Sequence, residues 1–383
     1  MPLAATHKYR FPACFFFVAL FVVISCSQKR VAVPETSGYA AYAQYFDLLP
    51  EGEGWAVVSL SPYDGSTDTL HVTEPLQQIV CMSTSHVGFL DAIGAADAVA
   101  AVSGCDFVSS LRVRERIAAG LVAEAGYDAA PAYETLYQLR PDVVLSYSLG
   151  SDSPMDERLR ELGIRVFTLY EHLESHPLAR AEYVRLFGAL TGRMAAADSL
   201  FAVVSEQYQA WSLSSGTNTP DFALELEKND SSSANIPFFA LEPPQKVLVN
   251  LPYAGVWYIP GAESYMARLI RDAGGEVLGA EPETSQSGMI SLEEAYKLSC
   301  EADWWLNAGN VRSLEELRRE NAAFASFPVA APGRVFTNDR RSTAGGNDFW
   351  ESGAVRPDLI LKDLRTIFAG GPEDSLYYYR AVR

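Results

Sequence analysis

Between Ile79 and the C-terminus one pattern occurs twice. The stretches "IVCMS", "HVGFLDAIGAADAVAAVSG", "YETLYQLRPDVVLSYS" and "ELGIRVFTL" follow in order as strand, helix–Gly–strand, helix–strand and helix–Gly–strand. After residue 245 the order recurs in "KVLVN", "SYMARLIRDAGGEVLGAE", "SLEEAYKLSCEADWWLNAG" and "FPVAAPGRVFTND". The strands are short apolar runs, as strands covered on both faces are. Strands alternating with helices predict parallel sheets with helices on each side. The expected fold class is α/β: two Rossmann-like lobes with mainly parallel sheets, over residues 55–176 and 245–383.

Two further elements surround the repeat. Residues 55–73 alternate apolar and polar around Tyr63-Asp64-Gly65, which reads as an N-terminal β-hairpin. Pro177 to Trp211 carries apolar residues at spacings of three and four, through Tyr183, Leu186, Phe187, Leu190, Met194, Phe201, Val204 and Tyr208. Pro177 suits a first helical turn. The spacing predicts one long, rigid helix over 177–211, on the order of 50 Å at 1.5 Å per residue, joining the lobes. Residues 212–244, rich in Ser, Asn, Pro and acid, read as a surface insertion.

The N-terminus speaks to location. A basic start (His7, Lys8, Arg10) precedes the apolar run Phe11 to Ile24, and both suit a secretory signal over 1–25. Val23-Ile24-Ser25-Cys26 resembles the processing site of bacterial lipoproteins. That resemblance implies a lipidated Cys26, a tether over 26–54, and a periplasm-facing protein anchored to a membrane without spanning it. Whether the anchor is in an inner or an outer membrane stays open. Of the five cysteines, Cys81, Cys105 and Cys300 lie beyond the signal and Cys26; there is no CxxC, and whether Cys81 and Cys105 pair stays open. The formal charge of −18 argues against a nucleic-acid partner.

Two α/β lobes, a long linking helix and a lipoprotein signal resemble the periplasmic binding proteins for iron chelates and cobalamin, the capture subunits of ABC importers. "YETLYQLRPDVV", "HLESHPLARAEYVRLFGALTG" and "SLEEAYKLSCEAD" carry the likeness, which covers about residues 73–370. The resemblance implies capture of an iron complex, a ferric siderophore or haem, with cobalamin as the alternative ligand. It also implies no intrinsic cofactor, and delivery to a permease dimer with its ATPase. A glutamate on each lobe docks on the permease in that family. Glu134 matches in the first lobe; the second offers Glu293 and Glu294, and spacing does not decide between them. Read without the family, each is a helix-start acid favoured by the helix dipole.

Ligands of such folds sit outside the carboxyl ends of the strands. The residues there are Ser85 and His86, Tyr147, then Tyr253, Trp257 and Tyr258, then Arg340, Arg341 and Trp350. Aromatics suit flat chelates, and paired arginines suit carboxylates. Trp257 is the leading candidate because "PYAGVWYIPG" reads as an irregular loop. Gly345 and Gly346 suit a loop lying close to a ligand. His172 and His176 are four apart, but Pro177 opposes helical geometry at His176, so no metal site is assigned. No nucleotide or hydrolase motif is present, and the chain reads as a binding protein, not an enzyme. The rival enzyme class is a periplasmic tetrapyrrole-metal chelatase.

Overall fold

A computed structural model describes residues 38–127, 130–150, 153–212, 243–343 and 345–383. The signal 1–25, Cys26 and all of the insertion between 213 and 242 lie outside the described residues.

The hairpin is present with one more strand than expected. β1 (Phe46–Glu51), β2 (Gly54–Leu60) and β3 (Thr67–Val72) form an antiparallel sheet in that order. Its first strand comes from the stretch read as tether. Phe46 and Leu48 are the reason: both are buried, in the i, i+2 pattern of a strand with one face on a core.

The N-terminal lobe is built on β4 (Ile79–Cys81), β5 (Val99–Val102) and β6 (Ala123–Glu124), with β9 (Val143–Tyr147) and β10 (Val166–Leu169). A small hairpin, β7 (Gly126–Tyr127) with β8 (Ala130–Pro131), stands beside them. The sheet order is β10-β9-β4-β5-β6, every pair parallel. Helices α1 (Thr84–Ala92), α2 (Leu111–Ala118), α3 (Tyr133–Leu139) and α4 (Pro154–Glu161) connect the strands. Ser83, Ser110 and Ser153 cap three of them through their side-chain oxygens.

The linking segment departs from expectation. It is two helices, α5 (Pro177–Thr191) and α6 (Met194–Trp211), not one rod. Gly192 ends α5 at φ 68°, a left-handed C-cap that glycine adopts without a Cβ penalty. The chain then doubles back. Gly188 approaches Ala197, Arg185 bonds Asp198 at 3.0 Å and lies 4.5 Å over the Phe201 ring, and His176 faces Tyr208 at 6.3 Å. The pairing 188–197, 185–201, 176–208 defines an antiparallel helical hairpin. Apolar periodicity continues straight through the turn, which is why spacing alone reads it as one helix.

The C-terminal lobe repeats the first. Its strands are β11 (Gln245–Val249), β12 (Trp257–Ile259), β13 (Gly275–Val277), β14 (Gly288–Ile290), β15 (Trp304–Leu306), β16 (Val335–Thr337) and β17 (Arg380–Ala381). The main sheet runs β13-β11-β15-β16-β17, parallel except for the last pair, and β12 pairs β14 antiparallel. Helices α7 (Tyr265–Asp272), α8 (Leu292–Ser299), α9 (Leu314–Glu320), α10 (Ser352–Val355) and α11 (Pro357–Phe368) complete it. β5-β4-β9-β10 corresponds to β13-β11-β15-β16, so α3 and α8 hold equivalent places before the strand beside each lobe's first. The aspartates repeat too. Asp142 accepts from the Gln77 and Gln78 amides, and Asp303 accepts from the Lys246 amide at 2.9 Å.

The lobes meet around α5, which packs on α1 and on α10 and α11, and α1 also packs directly on α10. They meet again through Glu351, just before α10. Its carboxylate accepts the Ser109 and Ser110 amides, each at 2.7 Å, across 242 and 241 residues of chain.

Gly188→Ala separates local from tertiary effects. Helix propensity alone favours alanine by about 1 kcal/mol. A Cβ at 188, however, lies 2.7 Å from that of Ala197, and overpacking costs about 1–3 kcal/mol. The expected net effect is a loss of about 0–2 kcal/mol, read by urea denaturation; a variant stabilised by the full propensity gain contradicts the hairpin.

Candidate functional site

At the carboxyl end of β4, Ser85 and His86 sit in the first turn of α1, and both are buried. Ser85 Oγ donates to Glu171 Oε1 at 2.8 Å, and His86 Nε2 lies 3.6 Å from the same oxygen. The His86 ring leans on Phe187 at 5.8 Å. These two residues face the core, not a ligand. Burial pushes the Glu171 carboxyl up, but the charges of His86, His172 and Arg180 outweigh it and hold it well below the usual carboxylate range. His172 Nε2 is 3.1 Å from the Ser148 carbonyl, and His176 Nδ1 accepts the Leu178 amide to cap α5. Cys81 and Cys105 are free thiols.

Tyr147 ends β9 and lines a polar cavity of about 190 Å³ with Ser59, Ser61, Asp68, Ser148 and Tyr170. Its described lining comes from the N-terminal sheet and lobe, so it does not join Tyr147 to the second-lobe candidates.

In the second lobe Trp257 is corrected. It lies on β12, 1% exposed, with Nε1 donating to the Val249 carbonyl at 2.8 Å. It stacks on Trp305 at 5.6 Å and packs against Phe324 and Phe327. An indole with its N–H satisfied inside an aromatic cluster is core. Its neighbour Tyr258 is 39% exposed and Tyr253 79% exposed. Asn250 (φ 67°) directly follows β11, Asn307 (φ 57°) directly follows β15, and Ala254 (φ 51°) lies in the loop between β11 and β12, all in left-handed backbone. Strain of this kind concentrates at binding loops. Sequence reading passed over it, although Asn at two of the three positions is a usable signal.

The arginines do not act as a free pair. Arg341 Nε donates to Asp348 at 2.6 Å, and its guanidinium lies 4.4 Å over the Tyr377 ring. Arg340 is exposed and bonds the Glu373 carbonyl. Trp350 is half exposed, edge-on to Phe349. Gly345 and Gly346 lie against the Asp106 and Phe107 carbonyls, so this loop approaches the other lobe's backbone, not an open space. Glu351 completes that seam. Burial raises its pKa to about 7, against the lowering effect of its two amide bonds; Asp348 and Asp91 push it up further.

The docking candidates are all exposed. Glu134 is the second residue of α3, and Gln138 donates to it at 3.3 Å. Glu293 is the second residue of α8 and pairs with Lys297 at 2.9 Å. Glu294 follows, its amide donating to the capping Ser291. Helix register therefore aligns Glu134 with Glu293.

Two repeated α/β lobes, with left-handed backbone and aromatic residues after their strands, are braced by a helical hairpin. A family model described as periplasmic binding protein matches residues 79–224. An uncharacterized lipoprotein of Methanocaldococcus jannaschii is 23% identical over 305 residues, covering 77% of this chain; the chain spans 66% of that relative's length. A periplasmic haem-binding protein from Pseudomonas aeruginosa shares the fold at TM-score 0.54 and 18% identity, over 80% of this chain and 98% of that one. A periplasmic catecholate-siderophore binding protein from Vibrio cholerae does so at 0.52 and 14%, over 84% and 99%.

Two measurements check this geometry. Trp257→Ala is expected to cost about 3–5 kcal/mol of stability, as a large aromatic lost from a core does; a stable variant with altered ligand affinity returns Trp257 to the site. Glu351 binds its proton more tightly folded than unfolded. Its contribution is full below about pH 4.5 and is lost as pH rises through about 7. Wild type should therefore lose up to about 3 kcal/mol relative to Glu351→Gln between pH 4 and pH 8, read from melts at each pH; a constant difference contradicts the buried assignment.

Proposed function

We propose that this chain captures an iron complex, a ferric siderophore or haem, at the cleft-side ends of its strands and hands it to the permease dimer of an ABC importer. On this reading Cys26 carries the lipid that holds it at the membrane, facing the periplasm. The observation that carries delivery is the duplication. Two lobes place a glutamate at the second position of equivalent, exposed helices. Two like charges at matched places suit a two-fold partner, where rim salt bridges set orientation and on-rate.

Capture rests on solvent-accessible side chains. Tyr253, Tyr258, Arg340 and Trp350 are exposed in the second lobe, on β12 and the loops after β11 and β16, and Tyr147 is half-buried at the end of β9 in the first. Aromatic faces with a cation suit a flat or catechol-bearing anionic chelate. The fold's relatives described as haem- and catecholate-siderophore-binding support this class.

Absorption titration of the purified chain with haem, a ferric catecholate and cobalamin tests capture. A saturable shift with haem or the ferric complex is expected; a response to cobalamin alone overturns the iron reading. Turnover of metal into or out of a porphyrin points instead to a chelatase. For delivery, Glu134→Ala with Glu293→Ala should abolish uptake while the titration stays as in wild type. Normal uptake by that double variant removes the docking role.

A further inference from the structure

The two docking helices match beyond their glutamates. Tyr133-Glu134-Thr135-Leu136-Tyr137-Gln138-Leu139 aligns without a gap on Leu292-Glu293-Glu294-Ala295-Tyr296-Lys297-Leu298. Each helix begins one residue before its glutamate. Leu136 and Ala295 are both fully buried and anchor the helices in the same register. One residue on, Tyr137 is 56% exposed and Tyr296 41% exposed. A single exposed tyrosine needs no explanation, but two at one register of a duplicated helix do.

Residues i and i+3 are neighbours on a helix surface. Each lobe thus offers a carboxylate with an aromatic ring one turn away. The group that engages both is a guanidinium, which bonds a carboxylate in its plane and lies flat on an aromatic face. The chain uses this combination internally. Arg341 bonds Asp348 while lying over Tyr377, and Arg185 bonds Asp198 while lying over Phe201.

We propose that each docking point is a glutamate–tyrosine pair, Glu134 with Tyr137 and Glu293 with Tyr296, reading one arginine on each half of a two-fold partner. This rests on the docking reading above and adds the residues that make arginine, not lysine, the fitting cation. The lobes differ around the shared glutamate and tyrosine, with Thr135 aligned on a second acid, Glu294, in the other lobe. Gln138 supports Glu134, whereas Lys297 pairs with Glu293. That lysine pair is largely exposed, and such pairs are weak, so an incoming guanidinium displaces or shares it.

The test uses the full chain and the permease dimer with ATPase of the same importer, held in nanodiscs, with Kd measured directly. Tyr137→Ser with Tyr296→Ser is expected to weaken binding about tenfold or more, and Tyr137→Phe with Tyr296→Phe to leave it near wild type, because the ring face remains. If the glutamate double variant weakens docking and the serine pair does not, the tyrosine proposal is overturned while the docking reading stands. If neither weakens it, the docking reading falls and takes this with it. If phenylalanine loses as much as serine, the hydroxyl and not the ring face is read, which also overturns it. Tyr296 packs edge-on against Phe327 at 5.8 Å. Tyr137→Ser alone carries the test should the double variant fold poorly, with a loss of at least a few-fold expected and wild-type binding counting against.

Discussion

Buried carboxylates that accept backbone amides hold this molecule together. Glu351 takes the Ser109 and Ser110 amides and ties one lobe to the other. Glu182 takes those of Ala41, Tyr42 and Ala43, and Glu174 those of Gln44 and Tyr45, fixing the N-terminal segment against the hairpin. Asp363 takes Tyr377, Tyr378 and Tyr379, fixing the C-terminal stretch to α11. Each bond to a charged acceptor is worth more than a neutral one, about 1.5–3 kcal/mol. Burying the charge works against this, and the balance is visible in Glu174, Glu351 and Asp363, whose pKa values burial raises to about 8, 7 and 6. The clamps are geometrically tight and electrostatically costly, so they specify position more than they add stability.

Position is what the lobes need. Any hinge opening has to part Glu351 from two amides and pull the 345–346 loop off the Asp106–Phe107 backbone. It also has to shift α5, which is buried along nearly its whole length between the lobes. Separate ties at the seam and along the hairpin leave little freedom for wide closure, so on the proposed reading ligand recognition falls on exposed side chains already in place.

The legible parts were those encoded locally. Apolar runs, the repeat and its order gave both sheets, and the hairpin around Asp64-Gly65 was readable from alternation. What failed depended on distant partners. Trp257 became core because Trp305, Phe324 and Phe327, remote in sequence, surround it; a loop-like composition says nothing of that. Ser85 and His86 lie at the correct end of β4, but the packing of α1 against Phe187 and Glu171 turns them inward. Arg341 was visible as a cation and not as one already spent on Asp348 and Tyr377. Glu351 carried no local mark at all, since its partners lie more than 240 residues away.

The failure of the long strut bears on the docking argument. Two carboxylates on two lobes inform a two-fold partner only if the distance between them is constant; a loosely hinged pair docks one point at a time. A single 35-residue rod was the expected source of that constancy. The chain turns at Gly192 instead, and the returning α6 is riveted to α5 by Arg185, Asp198 and Phe201. A helix braced by a second helix bends less than one alone, and the Glu351 seam adds a contact away from the hairpin. Two separated ties constrain rotation that one tie permits. The spacing of Glu134 and Glu293 is thus better constrained by the folded-back arrangement than by the rod it replaces.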